Sequence, residues 1–150
     1  QCTILSIPGI APRIIFFAEI NTAIAIWRQL VPHLKLVGTD VWRLLDINAG
    51  ILTIYPETCE LFTPHMLDYP KWQAVSFTKG CYLGQEIVVR AEHLGRTKRR
   101  LSQVQTLTKP RPMPGERWQE TGVIVEVASL PEGGYRMLAV VMEEDILKKT

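Results

Sequence analysis

Cys81 is the side chain with the strongest case for covalent or redox chemistry in this sequence. It lies in the segment KGCYLGQE (residues 79–86), just before a stretch from Gln85 to Leu94 that predicts a helix ending at Gly95. A thiolate is favoured near a helix N-terminus and near a cation, and Lys79 is two residues away. A lone cysteine is also often a small structural group. The segment therefore predicts a glycine-flanked loop whose thiol is either reactive or structural.

A basic run follows the predicted helix. Glu86, Arg90 and His93 share one face of that helix, and four cations come within the next few positions: Arg96, Lys98, Arg99 and Arg100. Such a run is typical of an anion-binding surface, but it is also typical of a solvated strand edge that resists aggregation. Both interpretations stay open from the sequence.

Composition excludes several classes of protein. The chain has 150 residues, 47% of them hydrophobic, which is enough for one hydrophobic core or two small ones. Its formal net charge of +2 does not by itself indicate nucleic-acid binding. No apolar run reaches the ~20 residues of a membrane span. Three widely spaced cysteines predict neither a disulfide framework nor a metal site, so a reduced, cytoplasmic setting is expected, with Cys2 and Cys59 as buried apolar groups. The start at Gln1 suggests a fragment.

Alternating patterns in the first half predict an α+β layer, with helices on one face of a sheet. We expect short strands, two helices and an irregular, proline-rich stretch. This stretch leads through a strand-like segment, Val75–Phe77, into the Cys81 loop. A helix N-cap is expected at Thr39 or Asp40. The predicted strands are Thr3–Ile7, Arg13–Phe17 and Leu34–Val37. The predicted helices are Glu19–Val31 and a segment that ends near Gly50, and the irregular stretch is Ile51–Trp72.

The last third predicts an antiparallel β module, a barrel or part of one. Its predicted strands are Arg100–Leu107, Gly122–Leu130 and Tyr135–Met142, and Pro131–Gly134 forms the hairpin between the last two. We therefore expect two domains, an α+β part over residues 1–96 and a β-barrel module over residues 97–150.

The Cys81 segment resembles the K-G-C-Y-x-G-Q-E signature of the YgfZ family. These folate-binding proteins are related to the aminomethyltransferase, or T-protein, of the glycine cleavage system. The flanking segments match in the expected order, and the resemblance runs from about Trp42 to the end of the chain. The matching upstream segments are Asp46–Ile51, Phe62–Met66 and Val75–Phe77.

The resemblance implies a fold and a set of site residues. The fold would be the latter half of an aminomethyltransferase-like fold, with ferredoxin-like α+β parts around a folate cavity and a C-terminal β-barrel. The resemblance makes Cys81 the functional thiol, with Lys79 beside it. It implies tetrahydrofolate or a derivative as the cofactor, and it implies these cofactor-binding residues: Trp42, Tyr82, Gln85, Glu86 and Arg90.

The function implied is that of a folate-dependent accessory protein. It would support iron–sulfur cluster assembly or repair, with iron–sulfur proteins or their assembly machinery as partners, and thereby tRNA modification. T-protein enzymes tend to carry Arg-Leu-Glu-Ala-Gly where this chain has Asp46-Ile47-Asn48-Ala49-Gly50, which disfavours aminomethyl transfer. A folate-dependent one-carbon transferase is the alternative. An RNA-binding module that uses the basic run is a third and weaker one.

Overall fold

The computed structural model describes residues 1–95, 98–107 and 109–144, so the predicted role of Arg96 lies outside the described residues. Within those ranges the chain forms six strands and three α-helices. In chain order they are β1 (Cys2–Ile7), β2 (Arg13–Ala18), α1 (Ile20–Leu30), α2 (Thr39–Ala49), α3 (Gln85–Leu94), β3 (Arg99–Thr106), β4 (Arg117–Trp118), β5 (Gly122–Ser129) and β6 (Tyr135–Met142).

The strands form two antiparallel sheets, which confirms the α+β class. β1 and β2 make a two-stranded hairpin in which Cys2 faces Ala18 and Ile7 faces Arg13. The other four strands form one sheet in the order β3-β6-β5-β4. Val- and Ile-rich runs formed β5 and β6 as predicted, because alternate side chains of such strands pack on opposite faces. β3 and β4 are the edges of this sheet among the described strands.

The main hydrophobic core lies between α2 and the four-stranded sheet. Ile47 of α2 and Leu67 pack against Val125 and Leu138 on one face of the sheet, and Ile124, Val127 and Met137 form a second cluster on the other face. The core thus includes residues from both sides of the expected boundary at residue 96. The division into two domains stays a prediction.

An extra residue in β5 lets this strand serve both clusters. Ile124 pairs with Ala139 of β6 and Glu126 pairs with Leu138, so Val125 is a β-bulge between them. A bulge resets which residues point to which face. Because of it, Val125 faces α2 while Val127, two positions later, faces the opposite cluster.

Two polar links hold α2, one near each end. In its first turn, Asp40 accepts hydrogen bonds from the Ser129 hydroxyl at 2.7 Å and from the Arg111 guanidinium at 3.1 Å. Those hydrogen bonds, that of Ser129 above all, lower the pKa of Asp40. Near the other end, Asp46 accepts from Arg13 of β2 at 2.6 Å. The helix therefore joins the hairpin to the four-stranded sheet.

The predicted N-cap of α2 was wrong. Gly38 is the N-cap and no side chain caps the helix, since the Asp40 carboxylate is used by Ser129 and Arg111 instead. The C-terminal prediction was right: Gly50 ends the helix with φ 74°, a left-handed conformation that glycine adopts without steric cost.

Two predicted strands are absent from the described residues. Leu34–Val37 pairs with no described strand, and its apolar side chains are exposed. Val75–Phe77 is also irregular. Strand formation requires a neighbouring strand for its backbone hydrogen bonds, and short apolar runs do not reveal whether one is present. The predicted irregular stretch Ile51–Trp72 is confirmed, and it contains the short 3₁₀ turns Pro56–Thr58, Pro64–Leu67 and Tyr69–Trp72.

The N-terminal region is exposed to an unusual degree. None of the α1 side chains is buried, and most side chains of β1 and β2 are exposed although nine of the twelve are apolar. The expected burial of Cys2 and Cys59 was wrong, because both are exposed free thiols. Arg13 is the exception in the hairpin, at 5% exposure, because it reaches α2.

Candidate functional site

Two glycines set the geometry of the Cys81 loop and α3. Gly84 has φ 91° and precedes the first helical residue, Gln85, while Gly95 ends the helix with φ 61°. Both angles lie in the left-handed region, where a side chain is strained. The loop therefore turns sharply into α3, and the predicted helix bounds of Gln85 and Leu94 are confirmed.

A pocket of about 390 Å³ lies between this loop, α3 and the 3₁₀ turns that precede it. It brings together three of the predicted site residues, namely Lys79, Tyr82 and Gln85. The complete lining is Pro64, Tyr69, Ala74, Val75, Ser76, Phe77, Lys79, Gly80, Tyr82, Gln85, Val88 and Val89.

The pocket combines flat apolar surfaces with a few polar groups. Tyr69, Phe77 and Tyr82 supply aromatic rings, Gln85 an amide that both donates and accepts, and Lys79 an ammonium group. Burial raises the pKa of the Tyr69 hydroxyl above its ordinary value. Few, well-placed polar groups in an aromatic pocket are typical of a small-molecule site, and the volume lies within the usual range.

The remaining motif residues are at the surface. Cys81 is exposed, and it lies between Gly80 and Tyr82, which both line the pocket. Glu86 and Arg90 are also exposed, on α3. The thiol is therefore next to the pocket in the chain and accessible to solvent, but it is not among the lining residues.

Trp42 is not brought to this pocket. It lines none of the five surface pockets that we compared. Instead, the guanidinium of Arg13 lies over its ring at 4.9 Å from the centroid, a cation–π geometry, while the same guanidinium pairs with Asp46. One face of the indole is thus used within the fold, and a folate contact of Trp42 stays a prediction.

Sequence reasoning missed several pocket residues. Pro64, Tyr69 and Phe77 line the pocket but were not predicted as site residues, although Pro64 and Phe77 lie in segments that carry the family resemblance. It also missed His65, whose Nε2–H donates to the Glu92 carboxylate of α3 at 3.0 Å. The two residues are 27 positions apart, so no local pattern could pair them.

A second, larger pocket of about 450 Å³ lies near the polar link that Asp40 of α2 forms with Ser129 and Arg111. Its lining includes Arg43, Arg111 and Met113, together with the buried Glu126 and the partly buried Tyr55. The Tyr55 hydroxyl donates to the Glu126 carboxylate at 2.9 Å, and burial followed by this hydrogen bond raises the pKa of Tyr55. The carboxylate is thereby satisfied within the fold, which indicates a structural role.

The described residues contain no group of three or more His, Cys, Asp or Glu side chains placed to hold a metal ion. Among the same residues, no helix is long and apolar enough to cross a membrane.

The chain is similar in sequence to curated bacterial proteins. It is 31% identical over 150 residues to the tRNA-modifying protein YgfZ of Colwellia psychrerythraea, covering 95% of this chain and 46% of that protein. It is 32% identical over 145 residues to the protein of that name from Cronobacter sakazakii, covering 91% of this chain and 44% of the relative. For the Edwardsiella ictaluri protein the identity is 29% over 142 residues, covering 89% and 43%.

A scan against models of known protein families gives no match. The chain spans about half the length of the curated relatives it matches, as expected for a chain that corresponds to one half of such a protein. The relatives match nearly all of this chain, including the segment that carries the Cys81 motif. The chain therefore belongs to the YgfZ family.

Proposed function

We propose that this chain binds a reduced folate, tetrahydrofolate or a derivative of it, in the pocket beside the Cys81 loop. In this proposal it is part of an accessory protein that supports iron–sulfur cluster assembly or repair, and thereby tRNA modification. The observation that carries the proposal is that Lys79, Tyr82 and Gln85 of the family motif line one pocket with aromatic side chains. The link to tRNA rests on the names of the curated relatives.

The pocket residues fit the chemistry of a folate. Tyr69, Phe77 and Tyr82 offer faces on which a flat heterocycle packs. The Gln85 amide can both donate to and accept from ring nitrogens and the ring carbonyl, and the Lys79 ammonium suits a carboxylate of the glutamate tail. When bound, the folate would supply a carrier for one-carbon units, while these residues bind it and orient it.

Four predicted site residues are left outside this pocket. We propose that the exposed Cys81 thiol acts as a reactive or redox-sensitive group at the edge of the pocket, with the exposed Glu86 and Arg90 toward the solvent end of the ligand. Trp42 would contact a folate only if the ligand extended toward α2. Its contribution is therefore tested separately below.

An accessory role is favoured over one-carbon transfer by Asn48. This residue stands where T-protein enzymes tend to have glutamate, and its Oδ1 accepts a hydrogen bond from Arg136 of β6 at 2.9 Å. Its backbone carbonyl accepts another from Gln103 of β3. The side chain is thus used to hold α2 on the sheet, and an amide carries no charge with which to act on a substrate.

We also propose the finer features that the family resemblance implies. The four-stranded sheet would be part of a C-terminal β-barrel, and the whole would be the latter half of an aminomethyltransferase-like fold. The antiparallel order β3-β6-β5-β4 supports this. The cytoplasm is the proposed location, because the relatives are named for tRNA modification.

Calorimetric titration with tetrahydrofolate tests the proposal. We expect the chain to bind, and Tyr82→Ala to weaken the affinity roughly tenfold, since stacking on an aromatic side chain is worth about 1–3 kcal/mol in related flat ligands. Leu83→Ala is the matched control, because Leu83 is on the same loop but is 99% exposed and does not line the pocket. The affinity of this variant for tetrahydrofolate should equal that of the native chain.

The proposal fails if Tyr82→Ala and Leu83→Ala bind tetrahydrofolate equally well. A loss of affinity in Trp42→Ala without any loss in Tyr82→Ala would place the site beside α2 and contradict the pocket proposed here. Far-UV circular dichroism of each variant confirms that the fold is retained.

A further inference from the structure

We propose that His65 is a positioning residue. Its hydrogen bond to Glu92, which we call the latch, holds α3 to the other elements that line the folate pocket. The inference rests on the function proposed above and extends it to the layer behind the pocket. His65 itself does not line the pocket, but it touches or adjoins three parts of the chain that do.

The first part is its own 3₁₀ turn, Pro64–Leu67. Pro64 lines the pocket, and His65 follows it directly. The second is the segment that leads into the Cys81 loop, because the His65 ring lies with its centroid 6.1 Å from that of Phe77, at a tilt of 45°. This distance is within the range for interacting rings. His65 therefore supports Phe77 from behind.

The third part is α3. The Nε2–H of His65 donates to the Glu92 carboxylate at 3.0 Å, which ties the helix to the turn. Gln85, Val88 and Val89 of α3 line the same pocket. The hydrogen bond thus joins two elements that both line it.

The latch matters because α3 has little else to hold it. Among the α3 side chains that the structure describes, none is buried, and Ile87 is exposed. The element that α3 mainly packs against is the turn Pro64–Leu67. A helix without a buried apolar face depends more on individual polar contacts, and such a helix opens locally at low free-energy cost.

The burial of His65 makes the contact specific. Its side chain is only 10% exposed, while that of Glu92 is 45% exposed, so the histidine is fixed in the fold and the helix brings the carboxylate to it. The His65 Nδ1 atom is buried and has no hydrogen-bond partner among the residues that the structure describes. Glu92 is therefore the polar partner that orients this ring.

Other charged groups share the surface near this pair. Asp68, Lys71 of the next 3₁₀ turn and Arg100 of β3 line a small pocket with His65 and Glu92. Arg100 also pairs with Glu143 at 3.4 Å. Cations and carboxylates thus both lie near the ring, and the hydrogen bond between His65 and Glu92 is the contact to test.

Hydrogen exchange of the α3 amides, followed by mass spectrometry without ligand, tests the latch directly. Glu92→Ala and His65→Phe should each speed this exchange roughly three- to tenfold, since one hydrogen bond to a charged group is lost. His65→Phe keeps a ring against Phe77. Glu92→Gln keeps a hydrogen-bond acceptor and should recover most of the protection. If the negative charge of Glu92 mattered instead of the hydrogen bond, Glu92→Gln would exchange as fast as Glu92→Ala.

His93→Ala is the matched control, because His93 is exposed on the same helix, one position from Glu92. It should leave exchange unchanged. Adding Glu92→Ala to His65→Phe should cause no further increase, because the two residues act through one contact. Affinity for tetrahydrofolate should fall by a similar factor in the two single variants and not in His93→Ala.

The proposal is overturned if α3 exchange is the same in Glu92→Ala, His65→Phe and the native chain. It is also overturned if exchange rises but the affinity for tetrahydrofolate does not fall in a chain that binds it. If the native chain binds no tetrahydrofolate, the proposed function fails, and the exchange data still decide whether the latch exists.

Discussion

The two ends of this chain use similar apolar residues with opposite results. The hairpin β1–β2 and helix α1 are rich in Ile, Leu and Phe, yet Phe17 and Trp27 are each 56% exposed. In β5 and β6 the same kinds of residue form the core, and Leu138 is 1% exposed. Apolar composition therefore did not decide burial in this molecule.

The difference comes from what covers each sheet. α2 lies on β5, and a second cluster fills the other face of the strand, so both sides are removed from water. Within the described residues no comparable layer covers the hairpin and α1. Since hydrophobic stabilisation scales with the area removed from water, we infer that the C-terminal sheet carries most of the stability.

The largest expected effect tests this difference with the same substitution at both ends. Leu138→Ala should lower the free energy of unfolding by about 4 kcal/mol, because it leaves a cavity in a closely packed core. Leu5→Ala on β1 should lower it by less than about 1 kcal/mol, since Leu5 is 45% exposed. Urea denaturation followed by circular dichroism measures both. Equal losses would show that the hairpin is covered in solution.

The next prediction concerns the link between the two regions. Asp46→Ala should lower the free energy of unfolding by about 3 kcal/mol, because it removes the carboxylate that pairs with the buried Arg13 guanidinium. The same denaturation experiment measures this loss. The double variant Arg13→Met with Asp46→Leu is the control and should recover most of it, since an apolar pair leaves no unpaired charge. A harmless Asp46→Ala would contradict the proposed anchoring of the hairpin.

The smallest predicted effect is a pH dependence at the other end of α2. The hydrogen bond from Ser129 and then the Arg111 guanidinium lower the pKa of Asp40 in the folded chain. A carboxyl group whose pKa is lowered by folding stabilises the protein above about pH 4, and this contribution is lost as the pH falls through the folded value.

Asp40→Asn should therefore lose less stability than the native chain between pH 7 and pH 3. The difference should stay below about 1 kcal/mol, because the Asp40 side chain is 34% exposed and solvent screens its charge. Denaturation at a series of pH values measures it. Parallel curves for the two proteins would remove Asp40 as a source of the pH dependence.

Local signals in the sequence predicted the regular elements well. The glycines at 50 and 95 fixed the ends of α2 and α3, and runs of Val and Ile fixed β5 and β6. The motif also led to the pocket, since four of its residues line it: Lys79, Gly80, Tyr82 and Gln85. Each of these features depends on residues close together in the chain.

Features that depend on distant residues were not predictable. Asp40 meets Ser129 across 89 positions, and Arg13 meets Asp46 across 33. The partner of Trp42 is a guanidinium from another element, and the exposure of Cys59 and of Leu34–Val37 depends on what lies over them. A pattern of residue types does not contain that information.

The bulge at Val125 constrains the length of the chain as well as its composition. Removing one residue between Ile124 and Val127 would turn the following side chains over, and the buried Glu126 would leave the Tyr55 hydroxyl. An insertion there would do the same. Homologues should therefore vary in length at the Pro131–Gly134 turn and keep a fixed count of residues across β5, even where the residue types themselves have drifted.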